Sequence, residues 1–120
     1  PALEAGKIVI CDRYYDSTYA YQGAARDLDD EIIDTLTAYA TFHTVPDLTI
    51  LLDLPVEQGL ERIKGRNLDR LELEDISFHQ KVRQQFLFIA KKQASRYLVL
   101  DGSKAPEDLH QEILRALKFC

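Results

Sequence analysis

The sequence predicts an α/β layered fold built on a parallel sheet. KIVIC (7–11), LTILLDL (48–54) and YLVLD (97–101) are continuous apolar runs. Runs of that kind mark strands buried on both faces, as in a parallel sheet. Helical periodicities lie between them, and strand alternating with helix is the pattern of a layered α/β domain.

In chain order, PALEAGK (1–7) reads as the end of a helix, with Gly6 as its stop. The first strand follows at 7–11. Over 29–42, Ile32, Ile33, Leu36, Tyr39 and Ala40 form one helical stripe, with Asp29 as N-cap and Asp30 and Glu31 in the first turn. The second strand is 48–54. Pro55 opens a helix over 55–64 whose apolar face is Val56, Leu60 and Ile63. Over 75–96, Phe78, Val82, Phe86 and Ile89 recur at spacings of 4, 4 and 3. The third strand, 97–101, leads to Pro106 and a helix over 106–118 with Leu109, Ile113 and Leu117 on one face. No repeat, low-complexity segment or interior domain boundary interrupts this order. Three parallel strands make a thin sheet, and PALEAGK lacks the helix it would end. The expectation is the C-terminal part of a larger α/β domain.

The 120 residues suffice for one modest core; 46% are hydrophobic and 29% charged. Fifteen Lys+Arg against 20 Asp+Glu give a net charge of −5. That argues against non-specific nucleic-acid binding, which needs surplus cations to replace counterions. A small anionic ligand remains compatible, because it needs only a local cation cluster. Cys11 and Cys120 have no zinc-like spacing. His43, His79 and His110 are scattered and are read as surface or interface residues without a ligand role. No apolar run approaches the ~20 residues of a membrane span. With no signal peptide visible, the expected compartment is the reducing cytoplasm.

Three stretches carry candidate chemistry. Ligands of open parallel sheets bind beyond the carboxyl ends of the strands, and Asp12 and Arg13 follow the first run directly. A carboxylate there suits Mg²⁺, and a guanidinium fork suits phosphate. The plainer alternative is an ion pair that closes a strand end. Behind them, YYDSTYAYQG supplies rings, hydroxyls and a carboxamide. Tyr14, Tyr15, Tyr19 and Tyr21 cannot share one helix face; Tyr15 and Tyr19 are expected to be core residues.

The second stretch is ERIKGRNLDRLE (61–72), where Arg62, Lys64, Arg66 and Arg70 cluster in an otherwise acidic chain. A basic loop suits closure over phosphates, and a solvated charged hinge is the competing reading. The third is DGSKAPED (101–108), a strand-to-helix turn at which Gly102 permits close backbone approach. The chain contains no GxxxxGKS/T motif, and its five glycines are too dispersed for a phosphate-cradling loop.

Taken together, DRY followed by S-T-x-A-Y-Q-G, then PDLT-x-x-L-D, then DR-x-E, resembles the C-terminal portion of bacterial thymidylate kinases, nearly end to end. The resemblance implies a P-loop nucleoside-monophosphate kinase fold, a parallel sheet flanked by helices. It implies ATP-dependent phosphorylation of dTMP to dTDP with Mg²⁺, and a homodimer. It places Asp12 at the metal–phosphate centre and Arg13 on the dTMP phosphate. Tyr21 would lie against the deoxyribose, with Ser17, Thr18 and Gln22 around the thymine or its sugar. Arg62, Lys64, Arg66 and Arg70 would belong to a LID over about 62–74, with Arg62 stacking on adenine and Arg66 reaching the transferred phosphate. Ser103, Lys104 and Ala105 would border the adenine.

The family's P-loop strand would lie between the strands matching 7–11 and 48–54, so those two should not be neighbours. The family's P-loop has no counterpart in the sequence, so residues 1–120 alone are expected to be inactive. The alternative is a non-catalytic domain that keeps a nucleoside-monophosphate pocket for binding or assembly.

Overall fold

A computed structural model describes residues 1–24, 30–63 and 76–118, with the backbone alone for 22–24, 30 and 63. Its centre is a parallel pair of strands, β1 (Thr49–Asp53) and β2 (Tyr97–Asp101), in register from Thr49 opposite Tyr97 to Asp53 opposite Asp101. The chain order is α1 (Tyr15–Thr18), a π-helical turn (Tyr19–Ala24), α2 (Asp30–Ala40), β1, α3 (Val56–Ile63), α4 (Ile76–Lys92), β2 and α5 (Pro106–Leu117). Parallel neighbours need a long crossover, and here the connection carries α3 and α4.

The stripe expected on α4 is its buried face. Phe78, Val82 and Ile89 are buried, and Ala20, Phe78 and Val82 form a core cluster with Tyr21 and Phe86 packed against it. Each such side chain contributes about 1.5–3 kcal/mol on full burial. Leu100 of β2 and Leu109 of α5 are also buried. Pro106 is the first residue of α5, Glu107 and Asp108 occupy its first turn and Arg115 its last. That arrangement complements the helix dipole.

Three expectations are corrected. Residues 7–11 form no strand, and Ile8, Val9 and Ile10 are 71%, 53% and 92% exposed. A strand is completed by a neighbour's N–H and C=O groups. Among the described residues the sheet has two strands, β1 and β2, and neither pairs with 7–11. The expected three-strand pattern therefore does not form among the described residues.

Second, burial of the strands on both faces does not occur: Leu52 and Val99 are 52% and 45% exposed. The helix α4 covers one face, and the apolar strand surface exceeds what the described elements cover. Third, on α2 Ile33 is buried whereas Ile32, Leu36 and Tyr39 are exposed. The Tyr19 hydroxyl donates to Asp34 and fixes which side of α2 meets the π-helical turn. The proposed cap Asp29 lies outside the described residues.

At the start of the chain the helix-end reading agrees with the structure. The N–H of Ala5 donates to Pro1 O at 3.0 Å, and Gly6 has φ 74°.

Candidate functional site

A cavity of about 300 Å³ at the carboxyl end of β1 is lined by Asp53 and Arg83 on one side and by Tyr21 with Phe86 and His79, and two groups of side chains lie around it. The first group belongs to the strand ends. Parallel register sets Asp53 and Asp101 side by side where β1 and β2 stop. Arg83 of α4 grips Asp53 with both arms, Nε to Oδ1 at 2.8 Å and Nη2 to Oδ2 at 3.1 Å. Those bonds raise the Arg83 pKa above its ordinary value. The N–H of Gly102 donates to Asp53 O at 2.7 Å. A Cβ at Gly102 would stand 3.0 Å from that oxygen, tighter than an ordinary contact, so glycine eases the close approach.

The Ser103 hydroxyl and N–H both donate to Asp101 Oδ1, at 2.6 and 2.9 Å, and hold that carboxyl below the usual carboxylate range. Arg62, at the end of α3, reaches over and donates to Gly102 O at 3.2 Å. Lys104 pairs with Glu112 at 2.9 Å, which raises its pKa, and Ala105 precedes Pro106 in extended conformation.

The second group belongs to the segment after residue 12. Arg13, Ser17 and Tyr21 recur every four residues and meet on one side of α1 and the π-helical turn. The Arg13 guanidinium carbon lies 4.8 Å from the Tyr21 ring centroid, and its Nε donates to Ser17 Oγ at 3.5 Å. Arg13 has φ 62°, a left-handed conformation that costs a non-glycine residue about 1–2 kcal/mol. Backbone strain of this kind clusters at ligand-binding positions.

Tyr21 also lines the cavity, with Phe86, His79, Asp53 and Arg83. It therefore joins the arginine to the strand-end carboxylate. Asp12 and Thr18 are exposed beside this row. The side chain of Gln22, and Lys64, Arg66 and Arg70, lie outside the described residues.

The tyrosine roles differ from the expectation. Tyr21 is the one packed on the core cluster, with ring centroids 6.1 Å from Phe78 and 6.3 Å from Phe86. Tyr15 and Tyr19 are half-buried and meet edge to face, with ring centroids 6.3 Å apart. A tyrosine's facing depends on its helix's neighbours, which periodicity alone does not name.

Sequence reasoning missed two features. One is the Asp53–Arg83 pair; a strand-end aspartate two residues before Pro55 was the available signal for Asp53, and nothing signalled Arg83. The other is Asp16 with Arg96. Both are 7% exposed and bonded twice, at 2.9 and 3.1 Å. They stand 80 residues apart, and no local pattern pairs them. His79 was read as a surface or interface residue. It is half-buried, and its Nε2 is enclosed without a hydrogen-bond partner.

A parallel strand pair crossed by helices, with guanidinium and carboxylate groups gathered beyond its carboxyl ends, fits a nucleoside-monophosphate kinase-like α/β fold. The family model described as Thymidylate kinase matches residues 1–113. The chain belongs to the thymidylate kinase family. It is 51% identical to a thymidylate kinase of Carboxydothermus hydrogenoformans over 94% of this chain and 55% of that protein. It is 47% identical to one of Sulfurihydrogenibium sp. over 98% of this chain and 57% of that protein. The crystal structure of thymidylate kinase from Ehrlichia chaffeensis superposes with a TM-score of 0.69 at 32% identity, covering 96% of this chain and 51% of that one. The chain thus spans about half the length of the relatives it matches.

Proposed function

We propose that these residues supply the acceptor side of a kinase that transfers the γ-phosphoryl group of ATP to dTMP, giving dTDP and ADP. The observation that carries this reading is the Arg13 guanidinium held over the Tyr21 ring at the edge of the cavity. An oxygen of the dTMP phosphate attacks the γ-phosphorus and forms the new P–O bond. The bond from that phosphorus to the β–γ bridging oxygen breaks, and its electrons leave with ADP.

Such a transfer needs positioning and charge neutralisation more than covalent help. Arg13 binds the acceptor phosphate through its planar fork. Tyr21 bears on the deoxyribose, and Ser17, Thr18 and Gln22 surround the sugar or base. Arg62, Lys64, Arg66 and Arg70 belong to the LID, about 62–74, and neutralise the transferred phosphate. Arg62, Ser103, Lys104 and Ala105 border the adenine.

No group of three or more His, Cys, Asp or Glu residues gathers among the described residues to cage a metal. Mg²⁺ is commonly held by one or two carboxylates together with substrate phosphates and water, and an exposed Asp12 beside Arg13 suits that manner of binding. When bound, the ion would screen charge between the phosphates. In this reading the enzyme acts as a homodimer.

The sequence carries no phosphate-cradling GxxxxGKS/T motif, so we propose that residues 1–120 alone do not turn over. A coupled ADP-release assay with ATP and dTMP tests both points. It would be run on the 120-residue chain and on the chain as its gene encodes it, with any residues ahead of Pro1. The expected result is turnover with dTMP preferred over other monophosphates in the gene-encoded chain, and none from residues 1–120 by themselves. Turnover by residues 1–120 would overturn the inactivity, and lack of dTMP preference would overturn the substrate. Tight dTMP binding without turnover in both would favour the non-catalytic alternative.

A further inference from the structure

We propose that the buried Asp16–Arg96 ion pair is the positioning element of the acceptor site, setting the rotation of α1 and with it the placement of Arg13 and Tyr21. This rests on the reading of Arg13 and Tyr21 as dTMP-binding residues.

The pair is densely bonded. Arg96 Nη1 and Nη2 donate to the two oxygens of Asp16 at 2.9 and 3.1 Å. Arg96 also donates to Thr49 Oγ1 at 2.8 Å and Gln93 Oε1 at 2.5 Å. The Tyr97 hydroxyl donates to Asp16 Oδ2 at 2.6 Å. The rings of Tyr97 and Tyr15 flank the guanidinium at 4.9 and 5.6 Å. Burial opposes the Arg96 charge, and the bonds to Asp16 outweigh it. Arg96 itself is tied to β1, because Thr49 N donates to Arg96 O at 2.6 Å. The aspartate of a short helix is thus bolted to the start of both strands.

Stability alone does not explain such a pair, since buried charges lose hydration and gain little over a well-packed apolar substitute. Geometry does. The helix α1 has four residues and no side-chain N-cap bond, and it runs directly into the π-helical turn Tyr19–Ala24; so short a helical segment takes its orientation from tertiary contacts, which here are Asp16 at its start and Ala20 and Tyr21 further on. Asp16 and Ala20, four residues apart, are the buried side. Arg13, Ser17 and Tyr21 form the adjacent row. Holding Asp16 from two directions helps fix the facing of that row, whose Tyr21 lines the cavity.

The test uses the gene-encoded protein with Asp16→Asn, Tyr97→Phe and, as control, Arg13→Ala. Calorimetry measures the affinity for dTMP relative to thymidine, which lacks the phosphate. NMR follows the ring-current shift of the Arg13 Nε–H from the Tyr21 ring, at a temperature where thermal melting shows each variant folded. Asp16→Asn is expected to collapse the shift and to cut the dTMP-over-thymidine preference on the order of tenfold, the scale of a small misplacement of a binding group. Tyr97→Phe, which strands no buried charge, should do the same to a lesser degree and decides the matter if Asp16→Asn does not fold. Lowered melting with shift and preference unchanged would show a merely structural pair and overturn the proposal. Unsubstituted protein with no phosphate preference would overturn the site reading, and this proposal with it. That failure is distinguishable because it precedes any substitution.

Discussion

The Arg13 guanidinium carbon stands 4.8 Å from the centroid of the Tyr21 ring. An aromatic face holds a cation by about 0.5–1 kcal/mol at an exposed site without neutralising it. Arg13 is therefore steered by the ring while its charge stays available to a phosphate. Arg13→Ala is expected to weaken dTMP binding by about 1.5–3 kcal/mol, the worth of a charged hydrogen bond. Calorimetry on the gene-encoded protein checks it; unchanged affinity would remove Arg13 from the phosphate.

Asp12 adjoins Arg13 and is exposed. If it serves the metal–phosphate centre, Asp12→Asn lowers turnover more than dTMP affinity. Steady-state kinetics beside calorimetry separates the two, and normal turnover would contradict the role.

The two well-placed glycines should respond oppositely to alanine. At Gly102 a Cβ meets Asp53 O at 3.0 Å, a backbone atom that cannot swing aside. Gly102→Ala should cost about 1–3 kcal/mol, as overpacking does. At Gly59, inside α3, the nearest atom is Leu54 Cδ2 at 3.8 Å. Gly59→Ala should stabilise by about 1 kcal/mol through helix propensity. Denaturant unfolding of both variants measures the difference.

Asp53 and Arg83 make a bidentate pair, but their side chains are 25% and 38% exposed. Solvent screening limits such a pair to about 1 kcal/mol or less. A double-mutant cycle with Asp53→Asn and Arg83→Gln should return a coupling of that size which shrinks as salt rises. A coupling that salt leaves unchanged would argue against this screened geometry.

Burial, followed by the bond to Asp16, pushes the Tyr97 hydroxyl well above its ordinary pKa of 10.0. Its folded pKa exceeds its unfolded one, so its contribution is complete below pH 10.0 and is lost as pH rises from there toward the folded value. Burial and the bond to Asp34 push Tyr19 the same way. Melting temperature should fall above that pH, and Tyr97→Phe should flatten the fall. Ultraviolet titration should show these two phenols ionising later than an exposed tyrosine.

Helices α2 to α5 were legible because each carries its own signal, whereas α1 and the π-helical turn were not delimited. Pro106, Glu107 and Asp108 mark the start of α5, and the spacing of Phe78, Val82 and Ile89 marks the buried face of α4. The apolar runs at 48–54 and 97–101 became strands because each has the other as its hydrogen-bonding partner. KIVIC has equal apolar content and no strand beside it among the described residues, so composition alone misled there. Arg13 was a candidate from residue type and its place after an apolar run, Tyr21 was singled out by the family resemblance alone, and their contact came from the structure.

By itself, then, the sequence determined the α/β class, the family, the helix faces that follow local periodicity, and the residue types able to meet phosphate. Tertiary structure alone decided that Tyr21 is the tyrosine on the core, that Ile33 is the buried residue of α2, and that Asp53 meets Arg83 and Asp16 meets Arg96. Helix and strand signals act through neighbours in the chain. The pairings act across 30 and 80 residues, where partners are chosen by packing and by the need of a buried charge for its counter-charge.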